Sequence, residues 1–189
     1  MSAQDSKLFV ISGPSGAGKG TLVTRVRERR SNLGLTVSAT TRAPRKGEVD
    51  GVNYFFLTRE EFDRRVANGE FVEWAEVHGN CYGTLVSEVT SKLASGSSLI
   101  LEIDVQGALQ VKERFPEAVL IFIKPPSLEV LRERLVGRGT ETPETIELRM
   151  ANAADELALA DRYDDVVVND DLDRATDELV RAVDMHERI

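Results

Sequence analysis

A run of nine residues, Gly13-Pro14-Ser15-Gly16-Ala17-Gly18-Lys19-Gly20-Thr21, concentrates the groups in this chain best suited to holding a phosphate. Two glycines with four residues between them, the second followed by lysine, form the G-x4-G-K part of a P-loop. Glycines allow backbone angles that turn successive N–H groups inward, and a helix N-terminus adds partial positive charge. Lys19 can then bridge the β- and γ-phosphates of a triphosphate tail. Gly20 stands where the strict pattern has the Ser or Thr that ligates Mg2+, so Thr21, one step on, is the expected hydroxyl donor. Without a strand before it and a helix after it, the run is only a glycine-rich turn with an exposed lysine.

Three further sets of side chains could act on the same ligand or a second one. Arg42 and Arg45 flank Pro44, and two guanidinium forks suit a dianionic monophosphate better than lysines would; the same charges also describe a solvated basic loop. Glu102 and Asp104 are two apart at the end of an apolar run and so share a face of a strand, where core strands present groups to a ligand crevice. Asp104 could support Mg2+ through water, though it and Glu73 are also ordinary as surface or strand-end carboxylates. Arg134, Arg138 and Arg149 could close over a migrating phosphoryl group, or form salt bridges on helix surfaces.

The elements needed to position these groups are legible in the pattern of apolar residues. Lys7–Ser12 reads as a buried strand ending at the glycine loop, and residues 18–30 as the helix after it, with Leu22 and Val26 one turn apart. From about 35 to 85 the pieces are short: strands at Leu35–Ser38, Tyr54–Leu57 and Phe71–Val77, a small helix near 59–68, and several turn glycines. That stretch reads as an inserted β-rich subdomain, with Phe71 and Trp74 as core residues. Ser98–Asp104 and Ala118–Ile123 resume as core strands alternating with helices. Helices are expected at 127–137 with Ser127 as cap, and at about 143–160 with Thr142 as cap and Pro143 in the first turn. Gly137-Arg138-Gly139-Thr140 reads as a hinge between them, Asp165–Val168 as a last strand, and Leu172, Ala175, Leu179 and Val183 as one face of a final helix.

Several segments together resemble the guanylate kinase family. Ser12–Lys19 is followed by Val37-Ser38-Ala39-Thr40-Thr41-Arg42-Ala43-Pro44-Arg45-Lys46-Gly47-Glu48, then Gly51–Tyr54, Glu70–Trp74, Gly79–Thr84, Ile103–Gly107 and Val168–Asp171, in family order along almost the whole chain. The resemblance implies an α/β P-loop kinase fold: a three-layer core built on a parallel sheet from 1–37, 86–126 and 151–189, an inserted β-rich GMP-binding subdomain at about 38–85, and a helical lid at about 127–150. It implies transfer of the γ-phosphoryl of ATP to GMP with Mg2+.

By position, it places Ser38, Arg42, Arg45, Tyr54, Glu73, Tyr82, Thr84 and Asp104 on GMP. Gly13, Ser15, Gly16, Ala17, Gly18, Lys19, Gly20, Thr21, Arg134, Asn169 and Asp170 fall on ATP, and Lys19, Arg45, Arg138 and Arg149 are the expected catalytic group. Thr21 and, through water, Asp104 are the expected metal contacts. The base chemistry agrees, because guanine offers N1–H and N2–H2 donors beside the O6 acceptor whereas adenine has an acceptor at N1, so a carboxylate rewards one base and repels the other. Family members commonly carry Asp at position 102 and an aromatic at position 81, where this chain has Glu102 and Cys81.

Composition narrows the partners. At 189 residues the chain can bury one sizeable core, and 41% hydrophobic with 30% charged residues is ordinary for a globular domain. A formal charge of -8 disfavours nucleic-acid binding, because phosphate backbones are repelled. One cysteine, Cys81, makes no internal disulfide and with two histidines forms no structural zinc set. The first residues lack a secretion signature and no long apolar run occurs, so a cytoplasmic protein away from membranes is expected. Monomer and homo-oligomer are equally compatible with the sequence. Two rivals stay open: another nucleoside monophosphate kinase, since Gly18-Lys19-Gly20-Thr21 also suits adenylate kinases, and a non-catalytic guanylate-kinase-like module that binds phosphorylated peptides.

Overall fold

The computed structural model describes residues 6–77, 79–137 and 142–187. Its centre is strand β1 (Leu8–Ser12), in which every residue is buried. Phe9 and Ile11 pack on one face with Leu22 and Val26 of helix α1 (Lys19–Arg29) and Leu179 and Val183 of α7 (Leu172–Glu187). Leu8 and Val10 pack on the other with Val89 of α3 (Val86–Ala94) and Val105, Ala108 and Val111 of α4 (Val105–Arg114). Alternate residues of one strand thus bury against opposite helical layers, which is why the run is continuously apolar. The sheet is parallel throughout, in the order β2 (Gly34–Leu35), β7 (Leu99–Glu102), β1, β8 (Val119–Lys124) and β9 (Asp165–Val168). The glycine loop, Asp104 and Asn169 follow the C-terminal ends of β1, β7 and β9, so one edge of the sheet gathers them.

A second sheet has the order β4 (Phe55–Phe56), β3 (Ala39–Thr40), β6 (Asn80–Leu85) and β5 (Phe71–Val77). Helix α2 (Arg59–Ala67), capped by the Thr58 hydroxyl accepting from the Glu61 amide at 3.1 Å, covers it through Phe62, which joins Ala39, Phe71, Cys81 and Leu85 in a separate apolar cluster. Helices α5 (Leu128–Gly137) and α6 (Pro143–Leu157) form another cluster through Leu131, Leu135, Ile146 and Ala153. Their first turns are closed by Ser127 and Thr142, whose hydroxyls accept from Val130 and Thr145 amides.

Three details differ from the sequence reading. The strand expected at Leu35–Ser38 is only Gly34–Leu35, and it pairs with β7 in the core sheet. Strand β6 was not foreseen, because Asn80 and Gly83 read as turn residues; Gly83 is required there, since a Cβ would lie 2.7 Å from the Glu73 carbonyl and 2.8 Å from Phe71 and Trp74 side chains. Trp74 is 42% exposed rather than in the core, because β5 is the edge strand of its sheet, while Phe71 is buried as expected. The hinge expected around Gly137–Thr140 lies, beyond Gly137, outside the described residues.

Candidate active site

The loop between β1 and α1 is built to face a ligand with its backbone. Gly13, Gly16 and Gly18 all have positive φ, and Gly18, at φ 92° and ψ 20°, precedes α1 with no side chain capping the helix. The amides of the first turn of α1 are therefore open to an anion. Lys19 Nζ reaches back to the Gly13 carbonyl at 2.6 Å and the Pro14 carbonyl at 3.1 Å, which holds the ammonium over the loop.

Asn169 and Arg134 brace this loop from behind. Asn169 is 6% exposed; its amide donates to the Ala17 carbonyl at 2.8 Å and sits where a side chain on Gly18 would be. Arg134 donates to the Asn169 carbonyl at 2.8 Å and to the Ala17 carbonyl at 3.5 Å. Thr21, Arg134, Asn169 and Asp170 line one small cleft beside the loop. Arg149, on α6, donates to the Ser15 hydroxyl, so α6 touches the loop's tip. Arg138 lies outside the described residues.

On the second sheet, Arg42, Tyr54 and Tyr82 converge. The Arg42 guanidinium stands 5.4 Å from the Tyr54 ring centroid, and the two tyrosine rings are 6.2 Å apart edge to face. Glu48 holds Arg42 there by bonds of 2.8 and 3.0 Å and also accepts from the Arg45 amide at 2.6 Å. Arg42 and the Arg45 amide keep the Glu48 carboxyl below the usual carboxylate range. Arg45 itself is exposed, and Ser38 is half-buried on the loop before β3. The loop is thus ordered by an internal ion pair rather than merely solvated.

Where the second sheet meets the N-terminus of α4, Glu73 and Thr84 lie directly opposite each other on β5 and β6. Glu73 is 9% exposed, and burial pushes its carboxyl up to about 7, against the pull of Thr84 and with the help of Asp104. The Thr84 hydroxyl is buried without a well-formed hydrogen bond among the described residues. Asp104 caps α4, accepting from the Gly107 amide at 2.8 Å. A side chain on Gly107 would meet Glu73 Oε2 at 3.4 Å and Asp104 Oδ1 at 3.5 Å, so this glycine leaves room for both acids at one helix end.

Two further carboxylates complete the rim. Glu102 lies against Gly20, 3.5 Å from where a Cβ would be, and Glu156 of α6 is half-buried. Burial raises both carboxyls, and the field of Lys19 opposes the rise in each. Among the described residues no group of three or more His, Cys, Asp or Glu side chains forms a metal cage. Sequence reasoning missed Glu48, Gly107 and Glu156. The six-residue return from Arg42 to Glu48 across Pro44 and Gly47 was the one available signal; the other two depend on packing.

Comparison with known proteins bears on what the cleft serves. The guanylate kinase family model matches residues 5–186. The chain belongs to the guanylate kinase family. It is 53% identical to the guanylate kinase of Halalkalibacterium halodurans over 95% of this chain and 88% of that one. It is 57% identical to that of Gloeobacter violaceus over 93% and 86%. The crystal structure of guanylate kinase from Anaplasma phagocytophilum superposes with a TM-score of 0.73 at 36% identity, covering 96% of this chain and 86% of that one. Identity of this level to guanylate kinases over nearly the whole chain makes it a nucleoside monophosphate kinase and tells against the peptide-binding rival.

Proposed function

We propose that the chain transfers the γ-phosphoryl of ATP to GMP, giving GDP and ADP, by holding the two nucleotides end to end across the cleft. The glycine loop, Lys19 and Thr21 take the triphosphate as a P-loop, with Arg134 and Asn169 fixing the loop and Asp170 lining the nucleoside side. Arg42, Arg45, Tyr54 and Tyr82 take the GMP phosphate; Ser38, Glu73, Thr84 and Asp104 take guanine. The observation that carries this reading is the buried Glu73–Thr84 pair, an acceptor whose ionised form is suppressed beside a buried hydroxyl that makes no well-formed hydrogen bond among the described residues. Guanine supplies both missing halves: N1–H and N2–H2 donate to the carboxylate, and O6 accepts from a hydroxyl. Adenine would set its N1 acceptor against Glu73.

The reacting oxygen of GMP is already anionic at neutral pH, so the chain needs no general base. Its task is alignment and charge neutralisation, which falls to Lys19, Arg45, Arg138 and Arg149. A hard divalent cation takes oxygen donors and keeps several waters. Glu102 beside Gly20, Asp104 and Thr21 supply such oxygens around the loop, and this donor chemistry fits Mg2+. When bound, Mg2+ screens the charge of the phosphate oxygens. Arg149 at Ser15 supports closure of α5 and α6 as a lid over ATP, with the second sheet closing over GMP and excluding water. Among the described residues no helix is long and apolar enough to cross a membrane, and purine nucleotide metabolism in the cytoplasm is the setting that fits these substrates.

Product analysis tests this reading. ATP and GMP should give GDP and ADP in equal amounts, with no product when Mg2+ is chelated. ADP formed at the same rate without GMP would contradict it.

A further inference from the structure

Strand β5 carries an irregularity on which the aim of Glu73 depends. Phe71 pairs with Leu85, but the next pairs are Glu73 with Thr84 and Trp74 with Gly83, so two steps on β5 match one on β6 and Val72 is the extra residue. In a regular ladder Val72 would face Thr84, and Glu73 would fall opposite Gly83 on the other side of the sheet, because a one-residue slip exchanges faces. The bulge is therefore what turns the carboxylate towards Thr84 and the N-terminus of α4.

A side chain outside the pocket grips the strand immediately before this bulge. Arg114, the last residue of α4, donates to the Phe71 carbonyl at 3.0 Å and to the Gly69 carbonyl. Gly107, Val111 and Arg114 stand at i, i+4 and i+7, on one face of α4. One helix face thus meets the Glu73 carboxylate at Gly107 and holds the strand that bears it at Arg114. Gly83, with no room for a Cβ, lets the partner strand close against the displaced backbone.

We propose that Arg114 is a positioning residue for guanine selection, fixing the β5 bulge so that Glu73 points at the base. The inference rests on Glu73 being the guanine reader. Arg114 is exposed, so replacing it opens no core cavity, and its planar guanidinium gives a separate nitrogen to each of the two carbonyls, a fixed two-point grip that lysine, with one flexible ammonium, reproduces only in part.

The test is a cycle of Arg114→Ala, Glu73→Gln and the double variant, with Arg114→Lys as a milder change. KM and kcat are measured for GMP, AMP and ATP, with thermal melts alongside. Arg114→Ala should raise KM for GMP by about tenfold, with KM for ATP and kcat within about twofold and AMP turnover unchanged; Arg114→Lys should fall between. In the Glu73→Gln background the same change should have little further effect, because the group it positions is gone. An equal rise in KM for GMP in both backgrounds, or a lowered melting temperature with intact selectivity, overturns the proposal while leaving Glu73 as reader. If Glu73→Gln itself leaves guanine preference intact, the underlying reading falls and the proposal with it.

Discussion

Glu73 and Thr84 face each other across the β5–β6 ladder, a carboxyl raised to about 7 by burial beside a buried hydroxyl that makes no well-formed hydrogen bond among the described residues. Such a pair costs stability in the empty protein and is recovered only when a ligand supplies the complementary donors and acceptor. It is the kind of strain found where a site is kept ready for one substrate.

The first prediction concerns pH. The folded pKa of Glu73 lies above its ordinary 4.5, so the folded state holds the proton more tightly than the unfolded chain. Stability from this group is therefore complete below about 4.5 and is lost as pH rises to about 7, by an amount on the order of 3 kcal/mol. Chemical denaturation of the ligand-free protein across that window should show the decline, and Glu73→Gln should remove most of it.

GMP reverses the preference, since guanine's donors favour the ionised carboxylate. Affinity for GMP should rise as pH passes through about 7, with a proton released on binding. The GMP phosphate also titrates, near pH 6, but it does so equally in wild type and Glu73→Gln. Calorimetry in two buffers of different ionisation enthalpy should show proton release in the wild type exceeding that in the variant; equal release would contradict the assignment.

Lys19→Ala should lower kcat by about 100-fold or more while the fold survives, because its ammonium donates to the Gly13 and Pro14 carbonyls of the loop and lies outside the apolar core clusters. Single-turnover rates with both nucleotides saturating would check it. A loss confined to KM for ATP would show that Lys19 only binds.

Asn169→Ala should leave the Ala17 carbonyl short of a donor and destabilise the protein by about 1–3 kcal/mol. The consequence should appear in KM for ATP and not for GMP, since Asn169 braces the loop from the side away from the second sheet. A denaturation curve and two Michaelis profiles decide this.

Glu48→Gln should raise KM for GMP about tenfold without touching KM for ATP, because the carboxylate holds the Arg42 fork over Tyr54 before GMP arrives. A fall in KM would instead mean that Glu48 competes with the phosphate for Arg42.

The core strands, the glycine loop and the amphipathic α7 were legible because each rests on a local pattern: a continuous apolar run, glycines at fixed spacing, apolar residues at Leu172, Ala175, Leu179 and Val183. Strand β6 was not, because Gly83 reads as a turn residue until its contacts with the Glu73 carbonyl and Trp74 are known. Trp74 misled in the opposite direction; an aromatic in a strand suggests a core, and only sheet order shows β5 at an edge. The site followed the same division. Spacing alone singled out the glycine loop and Lys19 as candidates, and resemblance to the family supplied Ser38, Tyr54, Tyr82 and Thr84, whereas the bracing of Ala17 by Asn169, the bulge at Val72 and the place of Gly107 between two acids arise from elements distant in sequence.

The central claim is that one cleft takes guanine monophosphate by the Glu73–Thr84 pair and passes it the γ-phosphoryl from the glycine loop. ADP formation with GMP, AMP, CMP and UMP as acceptors tests it most directly. GMP should exceed each of the others in kcat/KM by about 100-fold or more, and Glu73→Gln should erase most of that margin. Comparable turnover of AMP by the wild type, or undiminished guanine preference in the variant, would contradict it.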